Sequence, residues 1–172
     1  MVRAALGIGR IDRGPKRLAR FVPPISVVAA SALSLLPIVA SVGWVPDAGF
    51  LLLIAWRLLR SDAIPAWWAT PLGLVNDLVT GSPIGLSMAI WTAAMLALDL
   101  LDRRTMWRDY WVEWALAALL VLADEAARWR IDALMGAPLP FSVVWPPILI
   151  AILTFPVAAW AASALDRWRL GR

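Results

Sequence analysis

Residues 73–86 read GLVNDLVTGSPIGL, a stretch that predicts a tight hairpin between two apolar helices. Gly81 suits the position just past a helix C-terminus, because glycine takes positive φ without a steric penalty. Ser82 is a good N-cap, and Pro83 falls at the favoured first helical position. With only Gly81 and Ser82 between them, the two helices must be antiparallel neighbours. Thr70, Gly73, Asp77 and Gly81 recur at 3–4 spacing and share one face. Small residues there let another helix approach, and Asp77 can hydrogen-bond across such a contact, so this face reads either as a polar clamp or as a partner or substrate site. Gly85 is expected to allow close packing in the first turn of the following helix.

The surroundings of the hairpin are as apolar as the hairpin itself. Of 172 residues, 62% are hydrophobic and 16% charged. Soluble domains run about 45–50% apolar and about 25% charged, so the expected class is an all-α membrane protein. A transmembrane helix takes about 17–25 mostly apolar residues. Six segments qualify or nearly so: 23–45, 47–59, 65–81, 83–101, 107–129 and 141–165. The second is too short to span alone without its flanks, which leaves tilted, interfacial and re-entrant placements open. The expected organisation is a basic N-terminal arm (1–22), a six-helix transmembrane domain (23–165) and a basic tail (166–172).

Charge placement orients this layout. Fourteen of the 16 Lys and Arg residues fall on one side of a six-span arrangement. They are Arg3, Arg10, Arg13, Lys16, Arg17 and Arg20 in the arm, Arg57 and Arg60, then Arg103, Arg104 and Arg108, and finally Arg167, Arg169 and Arg172. Arg128 and Arg130 fall on the other side, among Asp124, Glu125 and Asp132. The positive-inside rule then puts both termini in the cytoplasm, and the net charge of +4 is an orientation marker rather than a nucleic-acid signal. The arm is basic, but the apolar run after it exceeds a signal-peptide h-region of about 7–15 residues and more spans follow, so no cleaved signal peptide is expected; the arm is expected on the anionic inner leaflet. Trp44, Trp67, Trp68, Trp107, Trp111, Trp129 and Trp168 fall near segment ends, where an amphipathic indole prefers the headgroup level. Trp91, Trp114 and Trp160 lie deeper and are expected to pack between helices.

Ionisable groups inside a membrane are costly and are functional candidates by default. Asp77, beside Asn76, is one. Asp124 and Arg128 are spaced i, i+4 and can pair, which leaves Glu125 to face an aqueous pocket. Asp99 and Glu113, near the basic side, are expected to snorkel towards Arg103, Arg104 and Arg108. The absence of Cys and His excludes thiol nucleophiles, disulfides, imidazole bases and the usual zinc sites. Ser34, Ser41, Ser82 and Ser87 have no histidine partner, no G-x-S-x-G elbow is present, and the only lysine, Lys16, lies in the arm. No pair of carboxylates is fixed at a catalytic separation, so the expectation is a protein that is not an enzyme and needs no cofactor.

The pattern G-x-x-x-D-L-x-x-G-S-P-x-G-L, carried by Gly73, Asp77, Gly81, Ser82, Pro83 and Gly85, resembles the core signature of the bacterial rod shape-determining MreD family. Pro46-Asp47 leading into the short run 50–56, Trp145-Pro146 opening the last segment, and the short basic tail are similar too. The resemblance covers roughly residues 25–170, with a specific motif only in 73–86. The chain departs from the family in its 12 tryptophans and in Asn76, where an apolar residue is more usual. The resemblance implies a non-catalytic inner-membrane component of the elongasome. Its direct partner would be MreC, with MreB filaments and the RodA–PBP2 synthase in the same assembly, membrane lipid around it and no nucleic acid. It also implies a six-helix bundle like the S-components of vitamin-uptake transporters, with an outward cavity near the third and fifth helices. The alternative function is then a small-molecule or lipid-precursor carrier using Asp77, Asp124 or Glu125. Asn76, Asp124, Glu125 and Arg128 are candidates for a polar pocket or partner contact.

Overall fold

A computed structural model of the chain describes residues 17–36, 46–102, 109–137 and 140–170. Six α-helices and no strand occur among them: α1 Val22–Ser31, α2 Ala48–Leu59, α3 Ala69–Thr80, α4 Leu86–Asp102, α5 Tyr110–Leu134 and α6 Phe141–Leu170. Residues 1–16 of the arm, Trp44, Arg103, Arg104, Trp107, Arg108 and Arg172 lie outside the described residues, as does the 37–45 end of the first expected span.

The second segment, the shortest, forms the centre of the molecule. Ten of the 12 residues of α2 are buried. It packs mainly on α1 and α6, and also touches α4 and α5. An all-round apolar helix fits either a protein core or a membrane span, and the burial of α2 places it in the core. At about 1.5 Å per residue α2 is about 18 Å long, short of a bilayer core of about 30 Å. Phe50 of α2 stacks on Trp91 of α4 with ring centroids 5.8 Å apart, and Trp56 Nε1 donates to Ser26 Oγ of α1 at 2.9 Å.

Among the described residues one helix, Ser142–Leu170, is long and apolar enough to cross a membrane; only 22% of its most apolar window is buried, unlike a soluble core helix. Pro156 inside it has no N–H for the carbonyl of Ile152. The indole Nε1 of Trp114, on α5, donates to that freed carbonyl at 3.0 Å. A proline gap in α6 thus becomes a tie between the last two helices. Trp114 and Trp91 sit between helices as expected. Trp160 does not: it is 66% exposed, on the outer surface of α6.

Two boundaries differ from the sequence expectation. The first helix breaks early: α1 passes into a 3-10 turn, Ala32–Leu35, and Leu36 turns extended at φ −67°, ψ 129°. Leu36 precedes Pro37, whose ring disfavours the α conformation of the residue before it. The fifth helix runs on to Leu134, so Asp124 and Arg128 lie well within it.

The α3–α4 hairpin is the most extensive helix pair. A Cβ added to Gly73 would lie 2.6 Å from Met88 N and 2.7 Å from Met88 Cα, so the two backbones cross directly at this glycine. Main-chain atoms on α4 cannot step aside as a side chain would. Gly73→Ala is expected to cost about 2 kcal/mol, typical of overpacking, and thermal unfolding of the detergent-purified protein measures it; an unchanged midpoint would mean that the helices separate freely.

Candidate functional site

Polar side chains from α2, α3, α4 and α5 converge at the end of the bundle that bears the Gly81 turn. The turn itself forms as expected at Gly81, which ends α3 in the left-handed region at φ +71°. The start of the next helix does not. Ser82 is not its N-cap and Pro83 is not its first residue, because Ile84 and Gly85 form a further turn, closed by Leu86 N–H donating to the Pro83 carbonyl at 3.0 Å, and α4 begins at Leu86. The cap comes from the preceding helix. Asp77 Oδ2 accepts the backbone N–H of Gly85 at 2.8 Å and Asp77 Oδ1 that of Ser87 at 2.9 Å. One carboxylate therefore satisfies two of the orphan donors at a helix N-terminus, where the helix dipole also favours negative charge. Gly85 has φ +98°, and an added Cβ there would meet nothing within 4 Å. Its role is backbone conformation, not the close packing expected of it; the close approach belongs to Gly73.

The Asp77 face is thus the inside of the hairpin. Thr70 and Thr92 share a hydrogen bond at 3.0 Å across the same interface. Asp77 is 1% exposed with both oxygens engaged, so as folded it offers nothing to a substrate or partner. It is a clamp.

Asp47 plays a comparable part at the start of α2. Its Oδ1 accepts Phe50 N at 3.0 Å as an N-cap, and its Oδ2 accepts Asn76 Nδ2 at 2.8 Å. Arg128 links these pieces. Its Nη2 donates to Asp47 Oδ2 at 3.2 Å and Ser87 Oγ at 3.0 Å, its Nη1 to Ser82 Oγ at 3.4 Å, and its Nε to Asp124 Oδ2 at 3.0 Å. The last is the i, i+4 pair that the spacing predicts. A planar guanidinium with five donors is suited to holding α2, α4, α5 and the α3–α4 turn in one arrangement.

Around one guanidinium stand four carboxylates, three of them with a compensating partner. Asp77 has the α4 N-terminus, Asp47 the α2 N-terminus and Arg128, and Asp124 has Arg128. Glu125 has neither a hydrogen bond nor an ion pair among the described residues. It lines a cavity of 190 Å³ together with Ser31, Ser34, Asp47, Thr80 and Arg128, at the mouth between α1, α2, α3 and α5. Asp124 Oδ1 and Asn76 Oδ1 are buried with no hydrogen-bond partner. No group of acidic side chains among the described residues has a metal-binding arrangement.

At the opposite end a second charged layer forms. The guanidinium of Arg57, 5% exposed, binds the carboxylates of Asp99 and Asp102 and the carbonyl of Ser61. Asp99 is thus reached by α2 from inside the bundle, while Arg103, Arg104 and Arg108, towards which it is expected to snorkel, lie outside the described residues. Arg60 pairs with Asp166 at 3.6 Å and Arg169 with Asp166 at 2.6 Å, and Arg169 lies 5.2 Å over the Trp56 ring. Glu113 stands in the first turn of α5.

The sequence groups Asn76, Asp124, Glu125 and Arg128 as polar-pocket candidates and leaves Asp77 and Ser82 to the hairpin; the structure links the two sets through Asp47 and Ser87, with Glu125 at the cavity and outside the hydrogen-bonded network. Asp47 carried a readable signal, an aspartate just before an apolar helical run. Ser87 carried none, since its hydroxyl meets Arg128 from 41 residues away. No family model matches the chain, and no curated protein or solved structure matches it.

Proposed function

We propose that this protein is a multi-pass inner-membrane protein of the MreD type, with six membrane-embedded helices, S-component-like, and both termini in the cytoplasm. It acts without catalysis, binding MreC and coupling MreB filaments to side-wall peptidoglycan synthesis by RodA and its partner synthase. One observation carries this reading: the residues of the family-like motif hold the bundle together. Asp77, Gly73, Gly81 and Gly85 each serve hairpin geometry, as expected where a motif preserves a scaffold rather than a reaction. The charge layers fit a lipid surround. Asp47 and Arg57 are ten residues apart on α2, about 15 Å by helical rise, so both layers would lie within a hydrocarbon core of about 30 Å. There, buried charges need partners inside the protein, and nearly all have them. The outer faces of α5 and α6 are apolar, with Leu119, Leu153, Val157 and Trp160 each more than 60% exposed, and they suit lipid or a transmembrane partner.

Affinity purification from native membranes tests the scaffold role. The expected result is recovery of MreC and, on deletion of this protein, loss of rod shape. No MreC and unaltered rods would overturn it. The cavity beside Glu125 favours a second reading, a carrier for a small molecule or lipid-linked precursor. A thermal-shift screen with vitamins and lipid-linked precursors separates the two, since strong stabilisation by a single compound would favour the carrier.

A further inference from the structure

A second cavity, of 390 Å³, opens at the end of the bundle opposite the Gly81 turn, between the start of α1 and the connection from α2 to α3. Arg20, Phe21, Ile64, Trp67 and Trp68 are among its walls. We propose that it holds the phosphate of an anionic phospholipid headgroup, with Arg20 as the phosphate ligand and the two tryptophans flanking the glycerol and upper acyl region. The inference rests on the membrane placement proposed above.

Arg20 is exposed and makes no hydrogen bond or ion pair among the described residues. Its guanidinium carbon lies 4.6 Å over the Phe21 ring. Stacking occupies the face of the guanidinium and leaves its in-plane N–H donors free, the geometry in which arginine binds a phosphate with two parallel hydrogen bonds. The neighbouring cations Arg57 and Arg60 are already paired. The one acidic wall residue, Asp62, is 75% exposed and turned to Arg60 at 3.5 Å, so it does not cancel the charge of Arg20. The remaining walls are apolar and aromatic. Trp67 is 65% exposed and its ring lies 5.0 Å from that of Trp68, an amphipathic pair of the kind that settles at the headgroup level. Cation, indoles and apolar floor match a ligand that is anionic at one end and greasy at the other. The proposed topology puts this end at the cytoplasmic leaflet, the side richer in anionic lipid.

Native mass spectrometry of the full chain released from nanodiscs of equal phosphatidylglycerol and phosphatidylcholine tests the site. One phosphatidylglycerol should be retained per chain in preference to phosphatidylcholine. Arg20→Gln should lower its occupancy about fivefold, the value of one interfacial cation, and Trp67→Ala should lower it too. Arg167→Gln, at an exposed cation away from the cavity, should leave it unchanged. Equal retention of both lipids, or an Arg20→Gln protein that holds phosphatidylglycerol as well as the parent, would overturn the proposal while leaving the membrane reading intact. Displacement by millimolar inorganic phosphate would overturn the lipid source in favour of a small-anion site. A chain that carries no lipid at all would overturn both readings.

Discussion

Arg128→Met should be the most damaging single substitution in this protein, lowering stability by about 3–5 kcal/mol, the usual cost of removing one partner from a buried ion pair. Methionine keeps much of the aliphatic stem but leaves Asp47 and Asp124 without their cation, with Asp124 2% exposed. Ser82 and Ser87 each lose one hydrogen bond at the same time, Ser87 keeping Asn76 Nδ2 and Ser82 keeping Thr80 Oγ1. Lysine is not an adequate replacement, because one ammonium cannot reach acceptors on α2, α4 and α5 as the guanidinium fork does. If uncompensated charge is the cause, adding Asp124→Asn to Arg128→Met should recover part of the loss, a coupling that a double-mutant cycle reads directly. Thermal unfolding in a mild detergent checks the series. A single variant as stable as the parent would show that the network is not what holds these helices together.

Asp77→Ala should follow closely, costing on the order of 3 kcal/mol. It strands the N–H groups of Gly85 and Ser87, each bonded to a charged acceptor, and such bonds contribute about 1.5–3 kcal/mol. Asp77→Asn keeps one carbonyl oxygen and should lose roughly half as much. Both variants should loosen the start of α4 first, so hydrogen exchange at residues 85–89 should rise before the rest of the helix is affected. Uniform protection in Asp77→Ala would contradict the clamp.

These two residues also mark the border of what was legible in the sequence. The Gly81 turn, the antiparallel hairpin, the six helices among the described residues and the Asp124–Arg128 pair follow from spacing and turn chemistry, which are local. The true cap of α4 is not local. It comes from a side chain eight residues before Gly85, across a turn, and the favourable Ser-Pro pair masks it. The centrality of α2 was hidden as well, since shortness in a membrane segment reads as a failure to span. Inside a bundle the same shortness suits a helix covered on every side. Trp160 departs from expectation for a related reason: in the proposed lipid surround a mid-span tryptophan can face outward without penalty. The Arg57–Asp99 contact joins residues 42 apart, and no periodicity could indicate it.

The chain contains no cysteine, so single cysteines report its topology without background. Ile84→Cys and Met135→Cys place exposed thiols at the Gly81 end of the bundle, while Asp62→Cys and Trp168→Cys place them at the opposite end; the four parent residues are 75%, 66%, 75% and 74% exposed. With a membrane-impermeant maleimide on intact spheroplasts, the account predicts that only the first pair is labelled and that the second pair reacts only after permeabilisation. Labelling that does not sort by bundle end, or that is equal for all four in intact spheroplasts, would contradict a six-helix membrane bundle with both termini inside.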